Sequence, residues 1–209
     1  MEKIVIKNVK EADYKTYEAI KILRTNLVNA EMDGNAIAIT SVMGKEGKTF
    51  VAFNTAMTIA ASGKSCIYVN GNLRAADGCD VYEIETKSLG ANTLAGYLLG
   101  KVAAENIVYQ TEKDDLYIVE AGAPCKEAAE MLSGERYKQL IEKLRTDYDY
   151  VIIDTPAIGE VADGLVIGSR ADGVVLVMET DVVPHEMAQK AKKQLEMNKC
   201  KLLGVVLNK

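Results

Sequence analysis

The 209-residue chain has no run of about 18 apolar residues, the length a helix needs to cross a membrane. Its start, Met1-Glu2-Lys3-Ile4-Val5-Ile6, lacks the long apolar core of a secretory signal. Basic residues are in deficit: 25 Lys and Arg stand against 30 Asp and Glu, for a net charge of −5. Binding to a phosphate backbone rests on a basic surface, so nucleic acid is excluded as the main partner. The four cysteines, at 66, 79, 125 and 200, show no metal spacing such as C-x-x-C, which sets zinc aside. A disulfide framework is not expected at this size, and the chain reads as cytoplasmic with reduced thiols. Cys66, inside an apolar run, reads as a buried thiol. The single histidine, His185, follows Pro184 at a predicted helix start and carries no expected catalytic role. There is no internal repeat and no low-complexity linker.

What is present is the composition of a soluble globular protein, 48% apolar and 26% charged. The length predicts one domain, residues 1–209, with a real core. Strand and helix signals alternate. Ala36–Thr40, Cys66–Val69, Leu116–Val119, Tyr150–Ile153, Val174–Val177 and Leu202–Leu207 read as strands. Helices are predicted over Phe50–Ala61, over Lys126–Arg145 on the spacing of Leu132, Leu140, Ile141 and Leu144, and from about Pro184. Continuous rather than alternating apolar runs mean strands buried on both faces. The fold class is therefore α/β: a doubly wound, mostly parallel sheet flanked by helices. Two segments break the rhythm. Residues 14–31 form a helix ahead of the first core strand. Residues 74–92 are polar, glycine-containing and irregular, a length of loop that is uncommon without a function.

The strongest chemical signal is Gly44-Lys45-Glu46-Gly47-Lys48-Thr49, which follows a strand and opens a helix. Glycines let the backbone approach phosphate oxygens, and the helix N-terminus offers N–H groups and partial positive charge. Gly44, Lys45, Glu46, Gly47, Lys48, Thr49 and Phe50 are the candidate contacts to ATP or ADP. Lys48 is assigned to the β- and γ-phosphates and Thr49 to Mg²⁺. The loop is a variant of the P-loop signature, because Val42 stands where the first glycine is usual. A second signal, Tyr150-Val151-Ile152-Ile153-Asp154-Thr155-Pro156, is an apolar strand that delivers a carboxylate to the phosphate side, with Asp154 as the second candidate metal residue.

These pieces resemble, in order and spacing, the cytoplasmic catalytic domain of bacterial tyrosine kinases of capsule and exopolysaccharide systems. The resemblance runs from about Tyr14 to Asn208. It is carried by Glu18–Asn26, Ile39–Thr49, Ala121-Gly122 with Glu130-Met131-Leu132, Tyr148–Pro156, Ala171-Asp172-Gly173 and Leu203–Asn208. Met43 stands where partitioning and septum-site ATPases of the same superfamily carry a signature lysine, which argues against that class. The resemblance implies ATP-dependent transfer to tyrosine, with Lys48, Asp154 and the positions of Asn70 and Asn72 in the catalytic set. It also implies a membrane-embedded polysaccharide co-polymerase or adaptor as partner, a peripheral place at the inner face of the membrane through it, and a ring of subunits. In the ring-forming motif E-x-x-R-x-x-R, this chain has Glu18, Lys21 and Arg24. They lie at i, i+3 and i+6 on one broad helical face. Replacing the middle Arg by Lys loses bidentate geometry. Asn208, closing the last strand, is a candidate reader of the adenine base.

Two departures set the functional question. The family pattern after the second core strand is D-x-D-x-R, whose carboxylates are thought to help hold Mg²⁺ and activate the attacking tyrosine. This chain has Asn70-Gly71-Asn72-Leu73-Arg74 there. An amide keeps the shape of a carboxylate but neither accepts the proton nor balances the cation. The family's tyrosine-rich tail has no counterpart before Lys209, and the ten tyrosines are dispersed, Tyr148 and Tyr150 reading as packing residues. Three expectations follow: a nucleotide-binding protein with impaired transfer, an active kinase that tolerates the asparagines, or a non-catalytic scaffold that assembles with an adaptor.

Overall fold

The structure, a computed structural model, describes residues 2–74, 81–84 and 89–209. Two short strands open the chain, β1 (Glu2–Lys3) and β2 (Ile6–Lys7), followed by helix α1 (Tyr14–Val28). Asp13 caps α1, its carboxylate accepting from the Thr16 amide at 2.7 Å. The helix ends at Val28, three residues short of the expected 31. The central order is β3 (Ala36–Ser41), α2 (Lys48–Ala60), β4 (Cys66–Asn70), β5 (Glu83–Ile84), α3 (Leu94–Leu98), a 3₁₀ turn at Ala104–Asn106, β6 (Tyr109–Gln110) and β7 (Leu116–Val119). Then come α4 (Ala128–Ser133), α5 (Glu135–Asp147), β8 (Tyr150–Asp154), α6 (Asp163–Gly168), β9 (Gly173–Glu179), α7 (His185–Met197) and β10 (Leu202–Asn208).

Among the described residues, eight strands form one sheet in the order β1-β6-β7-β4-β8-β3-β9-β10. All neighbours pair parallel except β6 with β7. The alternation within β3 shows why the strands read as unbroken apolar runs. Ala36 and Ala38 pack into the core on one face, with α5 and α6, while Ile37 and Ile39 pack into the core on the other, with α2. Both faces are covered, as a parallel sheet requires.

Three expectations need correction. The helix over Lys126–Arg145 is two helices, broken at Gly134, whose extended backbone (φ −70°, ψ 164°) serves α4 as C-cap and α5 as N-cap. Glycine has little to lose by leaving a helix, and Arg170 fastens the break by donating to the Ser133 carbonyl. The last strand is not buried on both faces: β10 is the sheet edge, with β9 its one neighbour, and leaves Val205 and Leu207 exposed. The irregular region 74–92 contains order, since β5 pairs antiparallel with β2 and Leu89 joins the core. Residues 75–80 and 85–88 of that region, Cys79 included, lie outside the described residues.

Candidate nucleotide-binding site

Parallel strands deliver their carboxyl ends to one edge of the sheet, where ligands of open α/β folds bind. The segment 42–47 leaves β3 there, and Asn70, Asp154, Glu179 and Asn208 close β4, β8, β9 and β10 beside it. Lys45 and Gly47 both take left-handed backbone, φ 66° and 81°. At Gly47 the requirement is also steric, because an added Cβ would sit 2.3 Å from Asn208 Nδ2.

A buried carboxylate holds the loop in shape. Glu46, 1% exposed, accepts from the Met43 amide at 2.5 Å and from the Glu179 amide at 3.2 Å. Its own carbonyl accepts from Asn208 Nδ2 at 3.1 Å. The Glu46 side chain faces the protein, and the Asn208 amide is engaged with the loop backbone. Phe50 packs against the core, and its carbonyl accepts from Asn54. Helix α2 begins at Lys48 with no side-chain cap on its first turn. At the mouth of the loop, Glu160 accepts from the Gly44 amide at 2.7 Å, so a carboxylate rests on one of the loop's N–H groups.

The metal side is built on Asp154, 2% exposed. Its Oδ2 accepts from Thr49 Oγ1 at 2.8 Å and from the Tyr68 hydroxyl at 3.2 Å, while Oδ1 is buried with no partner. Burial pushes this carboxyl up to about 6, against the opposing pull of the Lys48 charge and the hydrogen bonds from Thr49, Tyr68 and the Thr155 amide. A buried carboxylate with one unpartnered oxygen is costly, and a raised pKa of this origin is characteristic of functional sites. Among the described residues no group of three or more His, Cys, Asp and Glu forms a metal cage. Mg²⁺ does not need one, since it binds through one or two protein ligands together with phosphate oxygens and water. Thr49 and Asp154 fit that requirement.

Asn70 and Asn72 lie at the same edge. Asn70 Oδ1 accepts from the Asn72 amide, and Asn72 Oδ1 from the Arg74 amide, both at 3.2 Å. Arg74 then forks onto Asp163, Nε to Oδ2 at 2.7 Å and Nη2 to Oδ1 at 2.9 Å. The two amides thus shape a turn that an arginine pins to the start of α6. Asn70 Nδ2 donates to Glu120 Oε2 at 3.2 Å, and the Tyr82 hydroxyl donates to Glu120 Oε1 at 2.8 Å. Tyr82 stacks on Phe53, ring centroids 4.4 Å apart, and Tyr68 meets Phe53 edge-on at 5.3 Å.

The fold therefore gathers Gly44 to Thr49, Asn70, Asn72, Asp154 and Asn208 at one place. It does not bring Glu18, Lys21 and Arg24 there. Lys21 pairs with Glu18 at 2.8 Å, and Arg24 donates to the Thr58 carbonyl of α2 at 3.2 Å. His185 is exposed on the first turn of α7. Tyr68, Glu120, Glu160 and Asp163 were not legible as site residues. Tyr68 lies mid-way along β4 and Glu120 just past the end of β7, and their nearness to the site becomes specific only with the strand order. Glu160 and Asp163 lie six and nine positions beyond Asp154, in a loop and helix start with no periodic pattern.

A model of the AAA domain matches residues 34–197, from the approach to β3 to the end of α7. A tyrosine-protein kinase of Bacillus subtilis, YwqD, is 34% identical over 193 residues, covering 91% of this chain and 80% of that one. The chain belongs to the bacterial tyrosine-protein kinase family. Its backbone matches the kinase domain of the Escherichia coli tyrosine kinase ETK with a TM-score of 0.82, at 28% identity over 92% of this chain and 74% of that one. A more distant likeness is the septum site-determining protein MinD of Pyrococcus horikoshii, complexed with Mg-ADP, at a TM-score of 0.66 and 25% identity, over 83% of this chain and 70% of that one. No helix among the described residues is long and apolar enough to cross a membrane.

Proposed function

We propose that this chain binds ATP or ADP with Mg²⁺ at the β3–α2 loop and transfers phosphate to tyrosine weakly. The observation that carries this reading is Asp154: a buried carboxylate bonded to Thr49, with its second oxygen unpartnered, beside a helix N-terminus without a side-chain cap. Phosphate oxygens would be held by the amides from Gly44 to Phe50 and by Lys48. Thr49 and Asp154 would hold Mg²⁺, which, when bound, neutralises charge on the phosphates. Weak transfer follows from Asn70 and Asn72, neither of which can take a proton or balance the cation. The Mg-ADP in the MinD structure and the kinase names of the relatives support the ligand and the reaction class.

The setting is a polysaccharide-assembly system. A membrane-embedded adaptor would hold the chain at the inner face of the membrane, and α1 would join subunits into a ring. In support, α1 leaves Tyr14, Tyr17, Ile22 and Val28 exposed beside Glu18 and Lys21. Calorimetry with ADP, with and without Mg²⁺, tests the ligand, and an autophosphorylation assay tests the reaction. Lys48→Ala is expected to weaken nucleotide binding by an order of magnitude or more with the fold intact. Unchanged affinity would remove the site assignment.

A further inference from the structure

The neutral amides at 70 and 72 are only half of the charge pattern at this edge. Strands β7, β4 and β8 are parallel neighbours, with Val69 in register with Val119 and Asn70 with Asp154. Glu120, Asn70 and Asp154 therefore form a row across three adjacent strand ends, about 4.8 Å per step. The neutral residue stands in the middle and a carboxylate on each side. An aspartate at 70 would have put three negative charges side by side, where like charges destabilise one another. An amide there separates the two carboxylates and donates to one of them.

We propose that Glu120 is the catalytic carboxylate of this chain, accepting the proton of the attacking tyrosine from the strand next to the one that carries Asn70. This rests on reading the chain as a tyrosine kinase. The hydroxyl proton passes to a Glu120 oxygen as the phenolic oxygen bonds the γ-phosphorus of ATP. The bond from that phosphorus to the β–γ bridging oxygen breaks, and ADP leaves with the electron pair. The structure shows Glu120 in contact with this kind of donor: the Tyr82 hydroxyl lies 2.8 Å from Oε1. Burial holds the Glu120 carboxyl above its ordinary value against the pull of the hydrogen bonds from Tyr82, Asn70 and the Ala121 amide, and a raised carboxyl is a better proton acceptor. The residue is half-buried rather than sealed, and it belongs to the same edge as Thr49 and Asp154.

The test moves the carboxylate back. Radiolabelled ATP is used with a random glutamate–tyrosine copolymer as acceptor, and a fluorescent ADP analogue reports affinity with and without Mg²⁺. Glu120→Gln is expected to lower phosphotransfer tenfold or more while leaving analogue affinity unchanged. Asn70→Asp combined with Glu120→Gln is expected to restore transfer, which a purely structural Glu120 would not allow. Unchanged transfer in Glu120→Gln overturns the proposal, as does a parallel loss of analogue affinity or a failure of the double variant to recover. A wild-type chain that binds the analogue but transfers nothing also overturns it, leaving nucleotide binding intact. A wild-type chain that binds no nucleotide fails the proposed function itself.

Discussion

Asp154→Asn in nucleotide-free protein, with chelator present, is expected to change how stability depends on pH. In the fold, burial lifts the Asp154 carboxyl from its ordinary 3.8 to about 6. The folded chain therefore holds this proton more tightly than the unfolded chain does. The stabilisation is fully present below about pH 3.8 and is lost as pH rises through about 6. A difference of that size corresponds to about 3 kcal/mol between the two ends of the window. Asparagine carries no such titration. The absolute stability of the variant depends on where its new amide N–H groups land, because an unpartnered one at the Oδ1 position costs about 1–3 kcal/mol. That cost is independent of pH, so the informative quantity is the difference between variant and wild type, followed from about pH 3.5 to 7. It should move by about 3 kcal/mol in favour of the variant, equivalent to about 6–12 °C in midpoint for a chain of this size. Urea unfolding at several pH values measures it. With Mg²⁺ and ADP added at neutral pH, the difference should shift in favour of wild type, which gains ligand stabilisation that the variant lacks. A variant-minus-wild-type difference that is flat with pH, or of the opposite sign, would refute the account of Asp154 as a carboxylate whose ionisation burial opposes.

Glu160→Gln removes the negative charge that rests on the Gly44 amide, so ATP affinity is expected to rise several-fold in calorimetry; weaker binding would show that Glu160 supports the loop rather than competing with phosphate. Asn70→Asp with Asn72→Asp is expected to increase Mg²⁺-dependent turnover while lowering the stability of the metal-free chain, because Glu120, residue 70 and Asp154 would then carry adjacent like charges. Asn70-Gly71 is prone to deamidation, so intact mass must accompany that assay, and a metal-free double variant as stable as wild type would contradict the charge-row description. For α1, Glu18→Lys with Ile22→Asp is expected to lower the mass seen by light scattering. Exposed ion pairs contribute only about 0–1 kcal/mol each, so the apolar exposure of Ile22 must share the effect. A wild-type chain already monomeric at high concentration would defeat the ring.

The sequence carried the sheet well because its strands are short apolar runs between helices. β3, β4, β7, β8 and β9 each begin and end within two residues of the expected bounds. It failed where local pattern carries no information. The break at Gly134 needed the neighbouring Arg170 to be known, and the exposure of β10 follows from strand order, not from the composition of Leu202–Asn208. The short pairs β1 with β6 and β2 with β5 are two residues long, below any periodicity. In the site, the motif residues were legible because phosphate cradles constrain consecutive positions. The carboxylates at 120 and 160 were not, since Glu120 meets Asn70 and Glu160 meets the Gly44 amide only in three dimensions. Glu46 is the instructive case. Its place inside the loop suggested a ligand contact, yet its burial and its bonds to the Met43 and Glu179 amides make its side chain part of the scaffold.

That difference divides the site into two physical halves. On the phosphate side, the loop is tied at two places: the Glu46 carboxylate accepts from the Glu179 amide of β9, and Asn208 of β10 donates from its neutral amide to the Glu46 carbonyl. A loop held in place before a ligand arrives has less ordering entropy to lose on binding, which favours affinity. On the cation side, Asp154 keeps an unpartnered buried oxygen, a cost the fold carries until a ligand relieves it. Binding energy from the preformed loop is therefore available to bring a cation to a carboxylate that is poorly solvated without it. Coupling follows in both directions. Whatever lowers the cost at Asp154, by protonation or by asparagine, also lowers the gain that Mg²⁺ would bring, so the metal-free protein becomes more stable with respect to that group as it becomes less able to hold the metal.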